Sequence, residues 1–366
     1  VIRWLLIQLI SMFKHINEVP LSIRGKKLFG EVHNAGMREE KYLWRDEFMC
    51  TAITYRNGDF YFGRSLDYEK SYGESIAIMP RRFGKTSGEH YAMIGTAHIA
   101  DDYPLYYDAV NEKGLAAAGL RFAGNAFYGE AVKGAENIAQ FELIPVILSE
   151  CATIREAKER ICNINITDKA FSEKLPPSPL HWIFADKDGC ITVEQTRDGM
   201  KVYENPAGVL TNNPPFPMQL DNLSDYMNIS AKPPQNRFSD KIELTPQSRG
   251  TGALGLPGDW SSKSRFVRAA FAKLNAVSGK EETENVSTFF HILSTVEQLR
   301  GCCELENGEH ELTVYSACFN ADKGIYYYKT YSAMGITAVN MNSENLDAEH
   351  LISYPMITEN HIVTQN

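Results

Sequence analysis

Asn57-Gly58 narrows the fold of this chain more than any other pair of residues in it. Both centres of a two-residue hairpin turn need positive φ, and asparagine followed by glycine tolerates this well. Thr51 to Arg56, before the pair, is a short run rich in threonine, isoleucine and tyrosine; Phe60 to Gly63 is the return. Together they predict a β-hairpin with Cys50 at the first residue of its leading strand, in line with the sheet.

The rest of the chain alternates periodic segments with turn signals. Asn137 to Ser149 has helical spacing, and Thr153-Ile154-Arg155-Glu156 reads as a capping box that opens a second helix. His181 to Ala185 and Ile191 to Gln195 flank Asp188-Gly189, a second hairpin. Arg265 to Leu274 and Val286 to Leu299 are predicted helices, the latter ended by Gly301. Thr313 to Phe319, Ile325 to Tyr331 and Ile336 to Met341 are predicted strands. Strands, then helices, then strands imply an α+β chain with two antiparallel sheets and helices on their outer faces.

Composition excludes several classes of function. The net charge is −9, and no Lys/Arg run exceeds Lys26-Lys27 or Arg81-Arg82, so no nucleic-acid surface is expected. The seven cysteines are odd in number, scattered, and contain no C-x-x-C pair. Neither a disulfide framework nor a metal site is expected, no cofactor is implied, and a reducing cytoplasm is the expected location. No apolar stretch reaches the roughly 20 residues that span a bilayer, so no membrane partner is expected. Trp4 to Ile10, broken by Gln8 and preceded by Arg3, faintly resembles a signal-peptide core, but no small-x-small cleavage site follows it closely.

A cysteine taken alone is more often buried structure than chemistry. Cys50 differs because Met49 precedes it. Translation from Met49, followed by loss of that methionine, would leave a cysteine with a free α-amine. With a pKa near 7.7–8.0, roughly a tenth of such an amine is free base at neutral pH, against below about a thousandth for an ordinary lysine. Amine and thiol share one residue, so their separation is largely preset. While Cys50 stays bonded to Met49, this base does not exist.

Met-Cys-Thr-Ala-Ile-Thr-Tyr (49–55) and Phe-Gly-Arg-Ser-Leu-Asp-Tyr (62–68) resemble the start of the choloylglycine hydrolase family, the bile salt hydrolases and penicillin V acylases. Matching segments follow at Asp101-Asp102-Tyr103-Pro104, Asn111-Glu112-Lys113-Gly114-Leu115, Gly208-Val209-Leu210-Thr211-Asn212 and Gly255-Leu256-Pro257-Gly258-Asp259. Ser264-Arg265-Phe266, Lys323-Gly324-Ile325-Tyr326-Tyr327-Tyr328 and Asn345-Leu346-Asp347 complete the order. The resemblance covers all 317 residues from Cys50 to Asn366 and is strongest to bile salt hydrolases of gut Firmicutes.

The resemblance implies a four-layer αββα sandwich, the N-terminal-nucleophile hydrolase fold, assembled as a homotetramer. It implies that Cys50 attacks an amide carbonyl and that its α-amine carries the proton. By position, Arg64 resembles the arginine that favours the thiolate, and Asp67 the carboxylate that holds the amine. Asn212 resembles the side-chain donor of an oxyanion hole completed by the backbone N–H of Arg121, and Arg265 the arginine that braces the site. Each has a plainer explanation by itself. Arg64 and Asp67 could be a solvated ion pair, Asn212 a turn residue, Arg265 a surface arginine. Their common order favours the site.

Two departures from the pattern stand out. Gly119-Leu120-Arg121-Phe122 carries arginine where bile salt hydrolases usually have asparagine and penicillin V acylases tyrosine. The Arg121 side chain is expected to pair with the glycine carboxylate or taurine sulfonate of a leaving group, or to crowd it, unless it simply faces solvent. The second departure is residues 1–48, expected to be a leader absent from the active enzyme, with 50–366 a single domain. Trp44 is encoded by TGG, and an AGG codon at Arg45 would complete a ribosome-binding GGAGG just before Met49. Residues 1–48 then read as upstream sequence; a propeptide or signal is the alternative.

The expected substrate is a small amide, first a glycine- or taurine-conjugated bile salt, second penicillin V or another N-acyl amide. A steroid needs an apolar pocket, for which Leu66, Ile94, Ala100 and the loop from Phe122 through Phe127 to Tyr128 are candidates. A non-catalytic steroid- or acyl-binding protein is the reading from another class, and it applies if Cys50 is never exposed as an N-terminus.

Overall fold

The structure, a computed structural model, describes residues 49–85 and 90–366. The expected leader at 1–48, with its apolar run, lies outside the described residues. Strands β1 (Met49–Asn57) and β2 (Asp59–Tyr68) form the expected antiparallel hairpin, Thr51 opposite Ser65. Its reversal is tighter than predicted. Gly58 takes positive φ at 72°, while Asn57 stays extended and pairs with Asp59. Tertiary bonds hold Asn57 there: its Nδ2 donates to Gly279 O at 2.6 Å and to Asn285 Oδ1 at 2.7 Å.

The first sheet is completed by β12 (Val209–Leu210), β13 (Leu312–Asn320), β14 (Ile325–Thr330) and β15 (Thr337–Asn340). Its order is β12-β1-β2-β13-β14-β15, antiparallel throughout. The second sheet contains β3 (Ser75–Met79), β4 (Met93–Ala100), β5 (Tyr103–Asn111), β6 (Ala116–Arg121), β9 (Leu180–Ala185), β10 (Cys190–Thr196), β11 (Gly199–Glu204) and β16 (Ile352–Pro355). They run β11-β10-β9-β6-β5-β4-β3-β16. The Asp188-Gly189 turn between β9 and β10 is as expected, with Asp186 Oδ1 accepting both of its N–H groups at 2.8 and 3.0 Å.

Two predicted helices are shorter than their periodicity suggests. Helix α1 spans Leu143–Glu150, because Glu136–Ala139 is instead strand β7, paired in parallel with β8 (Ile164–Thr167). Helix α2 (Ile154–Ile161) is capped as expected by Thr153, whose side chain accepts from Glu156 N. After α3 (Phe216–Asn222) and α4 (Ser262–Asn275), helix α5 (Glu282–Ser294) stops before the predicted Leu299. The chain beyond it is captured by β13: Gln298 N donates to Thr313 Oγ1 at 2.7 Å, and Thr313 N to Gln298 O at 3.1 Å.

Alternation along β9 shows how the layers stack. Ile183 and Ala185 join the core shared with the first sheet, while Trp182 and Phe184 face a second core under α1 and α2. The shared core reaches through Ile53 and Phe62 to Phe266 of α4 and Phe289 of α5. The order is therefore helix, sheet, sheet, helix, the αββα sandwich implied by the sequence resemblance. Each large apolar side chain sealed in these cores contributes about 1.5–3 kcal/mol. No helix among the described residues is long and apolar enough to cross a membrane.

Candidate active site

The hairpin register assembles the site. Cys50 lies opposite Leu66 and Met49 opposite Asp67, so the Cys50 thiol and the Asp67 carboxylate share one end of the β1–β2 pair. Arg64, also on β2, is fully buried, and its Nη2 donates to Cys50 Sγ. Its Nη1 crosses to the second sheet and donates to Tyr107 O at 3.0 Å and Gly119 O at 2.7 Å. Gly63 makes this fit possible: a Cβ there would lie 1.9 Å from Ala317 O, so only glycine lets β13 approach beside Arg64.

Burial works against the charge of Arg64, but Cys50, Tyr315, Asp108 and Asp67 outweigh it and hold the guanidinium charged. Asp108 is itself fixed by Tyr315 Oη at 2.7 Å and by Tyr326 Oη. The Cys50 thiol meets the opposite balance. Burial pushes it above the ordinary range, with Asp67 adding to the rise, while Arg64, Arg265 and the backbone N–H of Arg121 pull it down. A thiol held up in this way needs a base to lose its proton.

Asn212 and Arg265 close the other side. Asn212 Oδ1 accepts from Cys50 N at 3.0 Å and from Arg265 Nη2 at 2.7 Å, which leaves its Nδ2 to donate to Arg121 O at 2.9 Å. Arg265, fully buried in the first turns of α4, donates Nη1 to Cys50 O and to Thr51 Oγ1, the latter at 2.8 Å. Asp67 is buried; Thr313 Oγ1 donates to its Oδ1 at 2.6 Å. Burial raises the Asp67 carboxyl to about 6, against Arg265, Thr313, Arg64 and Ser65. No hydrogen bond joins Asp67 to Cys50, whose nitrogen is here a peptide N–H.

Met49 occupies a seat that sequence reasoning missed. Its N–H donates to Glu311 Oε1 at 2.8 Å, and its sulfur lies 3.8 Å from Gln298 Nε2. Glu311 and Gln298 are both 1% exposed. Glu311, in a charged stretch ahead of β13, carried no motif that marked it.

A cavity lies along β5, β6 and β9 of the second sheet, and none of Cys50, Arg64, Asp67, Asn212 and Arg265 lines it. Tyr107 and Gly119, whose carbonyls hold the guanidinium, form part of its wall, with Tyr72, Leu105, Phe141, Phe171 and Trp182. The predicted pocket residues lie elsewhere. Leu66, Ile94 and Phe122 are sealed in the interior, Phe122 stacked on His181 at 4.3 Å. Phe127 is exposed under Arg197, and Ala100 is half-buried at the end of β4. The cavity takes its aromatics from β5, β9, the segment after β2 and the segments flanking α1 and β8. Among the described residues no group of three or more His, Cys, Asp or Glu could hold a metal ion.

Residues 50–354 match the family model for linear amide C–N hydrolases, the choloylglycine hydrolase family. The chain belongs to that family. It is 51% identical over 317 residues to a bile salt hydrolase/transferase of Lactiplantibacillus plantarum, covering 85% of this chain and 98% of that protein. A crystal structure of a variant of the conjugated bile acid hydrolase from Clostridium perfringens superposes with a TM-score of 0.80 at 36% identity, covering 87% of this chain and 100% of that one. Penicillin V acylase from Agrobacterium tumefaciens has a TM-score of 0.66 at 19% identity over 83% of this chain and 90% of its own, a likeness of fold. As a choloylglycine hydrolase family member the chain is an enzyme, a hydrolase of linear amides on the N-terminal-nucleophile fold.

Proposed function

We propose that this chain hydrolyses the amide bond of glycine- or taurine-conjugated bile salts, with Cys50 as nucleophile once it is the first residue. The observation that carries the proposal is the convergence of Arg64 Nη2 and the Arg121 backbone N–H on Cys50 Sγ. A cation and a fixed N–H at the sulfur serve both the thiolate and the oxyanion that forms beside it.

The freed α-amine, in the place of the N–H now bonded to Asn212 Oδ1, takes the thiol proton. The thiolate attacks the amide carbon, and the resulting oxyanion accepts from Asn212 Nδ2 and the Arg121 N–H. The ammonium then returns its proton to the leaving nitrogen, the C–N bond breaks, and a thioester remains. Water, deprotonated by the same amine, cleaves that thioester and restores the thiol. Arg265 braces Cys50 O and Asn212 together, and Asp67 awaits the amine from the opposite strand.

Bile salts are favoured by the substrates that the relatives' names give. Penicillin V is the second reading. Residues 1–48 are proposed to be absent from the active chain. All seven cysteines are free thiols, which supports a reducing, cytoplasmic setting. Assembly as a homotetramer is part of the same reading. Parallel assays on glycocholate and penicillin V, with intact mass on the natural protein, test it: cleavage of glycocholate by a chain starting at Cys50 is expected. A Cys50-first chain that cleaves only penicillin V, or nothing, overturns the bile salt assignment.

A further inference from the structure

The seat of Met49 is chemically mismatched to a methionine. Its walls are Glu311, Gln298, Thr313 and Asp67, all buried and polar. Gln298 Oε1 is buried without a hydrogen-bond partner, and its Nε2 rests on the Met49 sulfur, a weak acceptor. A buried acceptor left unpaired is a net cost to the fold. The seat therefore suits a group that donates several hydrogen bonds, and methionine offers it one N–H.

We infer that, once the chain up to Met49 is gone, Glu311 is a positioning residue for the freed Cys50 α-amine, acting with Asp67 through the seat Met49 vacates. The inference rests on the N-terminal-cysteine mechanism proposed above. Glu311 Oε1 is bonded to the nitrogen one residue before Cys50 N, a step of about 3.4 Å along a strand. A side-chain turn, or one water in the emptied seat also bonded to Gln298 Oε1, joins carboxyl to amine. The neutral amine has two N–H groups and one lone pair: Asn212 Oδ1 holds one N–H and the Asp67–Glu311 side holds the other, which leaves the lone pair for the thiol proton.

The charged surroundings of Glu311 agree with this. Burial raises its carboxyl to about 8 while Met49 is in place, and Asp67 pushes the same way; the Met49 N–H, Arg265 and the Cys303 thiol pull back. Asp67 comes from β2, Arg265 from α4 and Cys303 from the segment before β13. Beyond them, Arg64 is the other charge acting on the Cys50 thiol. An ammonium adds a counter-charge on the side of these two acids that Arg265 and Arg64 do not neutralise.

The test compares chains that begin at Cys50, verified by intact mass, as the unsubstituted protein and as Glu311→Gln. Two pH profiles are read: kcat for amide cleavage, and the rate at which iodoacetamide alkylates Cys50. Losing a carboxylate beside the amine lowers the amine pKa, so both acidic limbs are expected to move about one unit toward lower pH. Plateau kcat is expected to fall about tenfold with KM within about twofold, because a weaker, less oriented base transfers the proton more slowly. Superimposable profiles overturn the inference, including a variant of lower melting temperature whose limbs stay in place. Alkylation needs no substrate, so a Cys50-first chain that cleaves no amide sinks the proposed reaction while still deciding Glu311. Should Glu311→Gln fail to fold, Glu311→Asp, which keeps but retracts the charge, must show a smaller shift of the same sign; an unmoved limb overturns the inference.

Discussion

At the scale of single residues, the site is a set of buried charges that would each be costly alone. Arg64 is tolerated because carbonyls of Tyr107 and Gly119 and the sulfur of Cys50 take its N–H groups, with Asp108 close behind. Arg121 differs, since its backbone and side chain have separate tasks. Its N–H faces Cys50 Sγ and its carbonyl accepts from Asn212, so the backbone role survives any side chain that keeps β6 paired with β9. Arg121→Asn is therefore expected to leave glycocholate and taurocholate cleavage within about tenfold of the unsubstituted rate, and to change their ratio, because an arginine pairs differently with carboxylate and sulfonate. Steady-state kinetics on both substrates check this, and an unchanged ratio removes the Arg121 side chain from specificity. Cys50, Arg64, Asp67, Asn212 and Arg265 were legible in the sequence because their motifs stand in family order, and the structure gathers all five. Glu311, Gln298 and Asp108 were not legible. Each acts through a contact far away in sequence, and nothing in Glu309-His310-Glu311 distinguishes the acid that turns inward from the one that faces water.

At the scale of elements, position in the site depends on where elements begin. Arg265 reaches Cys50 because α4 starts at Ser262, with Ser261 as N-cap accepting from Ser264 N. Asp259 supports that start: its Oδ2 accepts from Ser264 Oγ at 2.6 Å and its Oδ1 from Ser261 N at 3.0 Å. These bonds from Ser261 and Ser264 hold the Asp259 carboxyl down at about 2. A depressed carboxylate contributes stability that is present above its unfolded pKa, near 3.9, and lost as pH falls toward the folded value. Asp259→Asn is expected to lower the melting temperature near neutral pH and to converge on the unsubstituted protein toward pH 2, as thermal scans would read. A gap that persists in acid would mean that Asp259 acts by packing rather than charge. The Thr153 cap of α2 was readable because its capping box is local, whereas α4 begins three residues before the predicted Arg265. The start of α1 and the end of α5 were not readable, because β8 and β13 capture the adjoining chain by long-range pairing that overrides the helical period.

At the scale of the whole molecule, the two sheets bring β2 of one against β5 and β6 of the other, with Arg64 and the Asp108–Tyr315–Tyr326 cluster as polar bridges across the core they share. The same burial that orients the site destabilises the fold wherever an acid is sealed in without a counter-charge. In the chain that retains Met49, burial raises Glu311 to about 8 and Asp67 to about 6. For an acid whose folded pKa is raised, the cost is absent below the unfolded pKa, near 4, and fully present above the folded one. The unfolded chain loses these protons first as pH rises, so stability from this pair falls between about pH 4 and pH 8. Glu311→Gln keeps an acceptor for the Met49 N–H and removes the charge. It is therefore expected to stabilise the Met49-retaining chain at pH 8 by on the order of 2 kcal/mol, with no gain near pH 4. In the chain that begins at Cys50 the α-ammonium supplies the missing counter-charge, so the gain should shrink or change sign. Thermal denaturation of both chains across this range decides the matter: a gain independent of pH, or equal in the two chains, would separate Glu311 from the charge balance of the site.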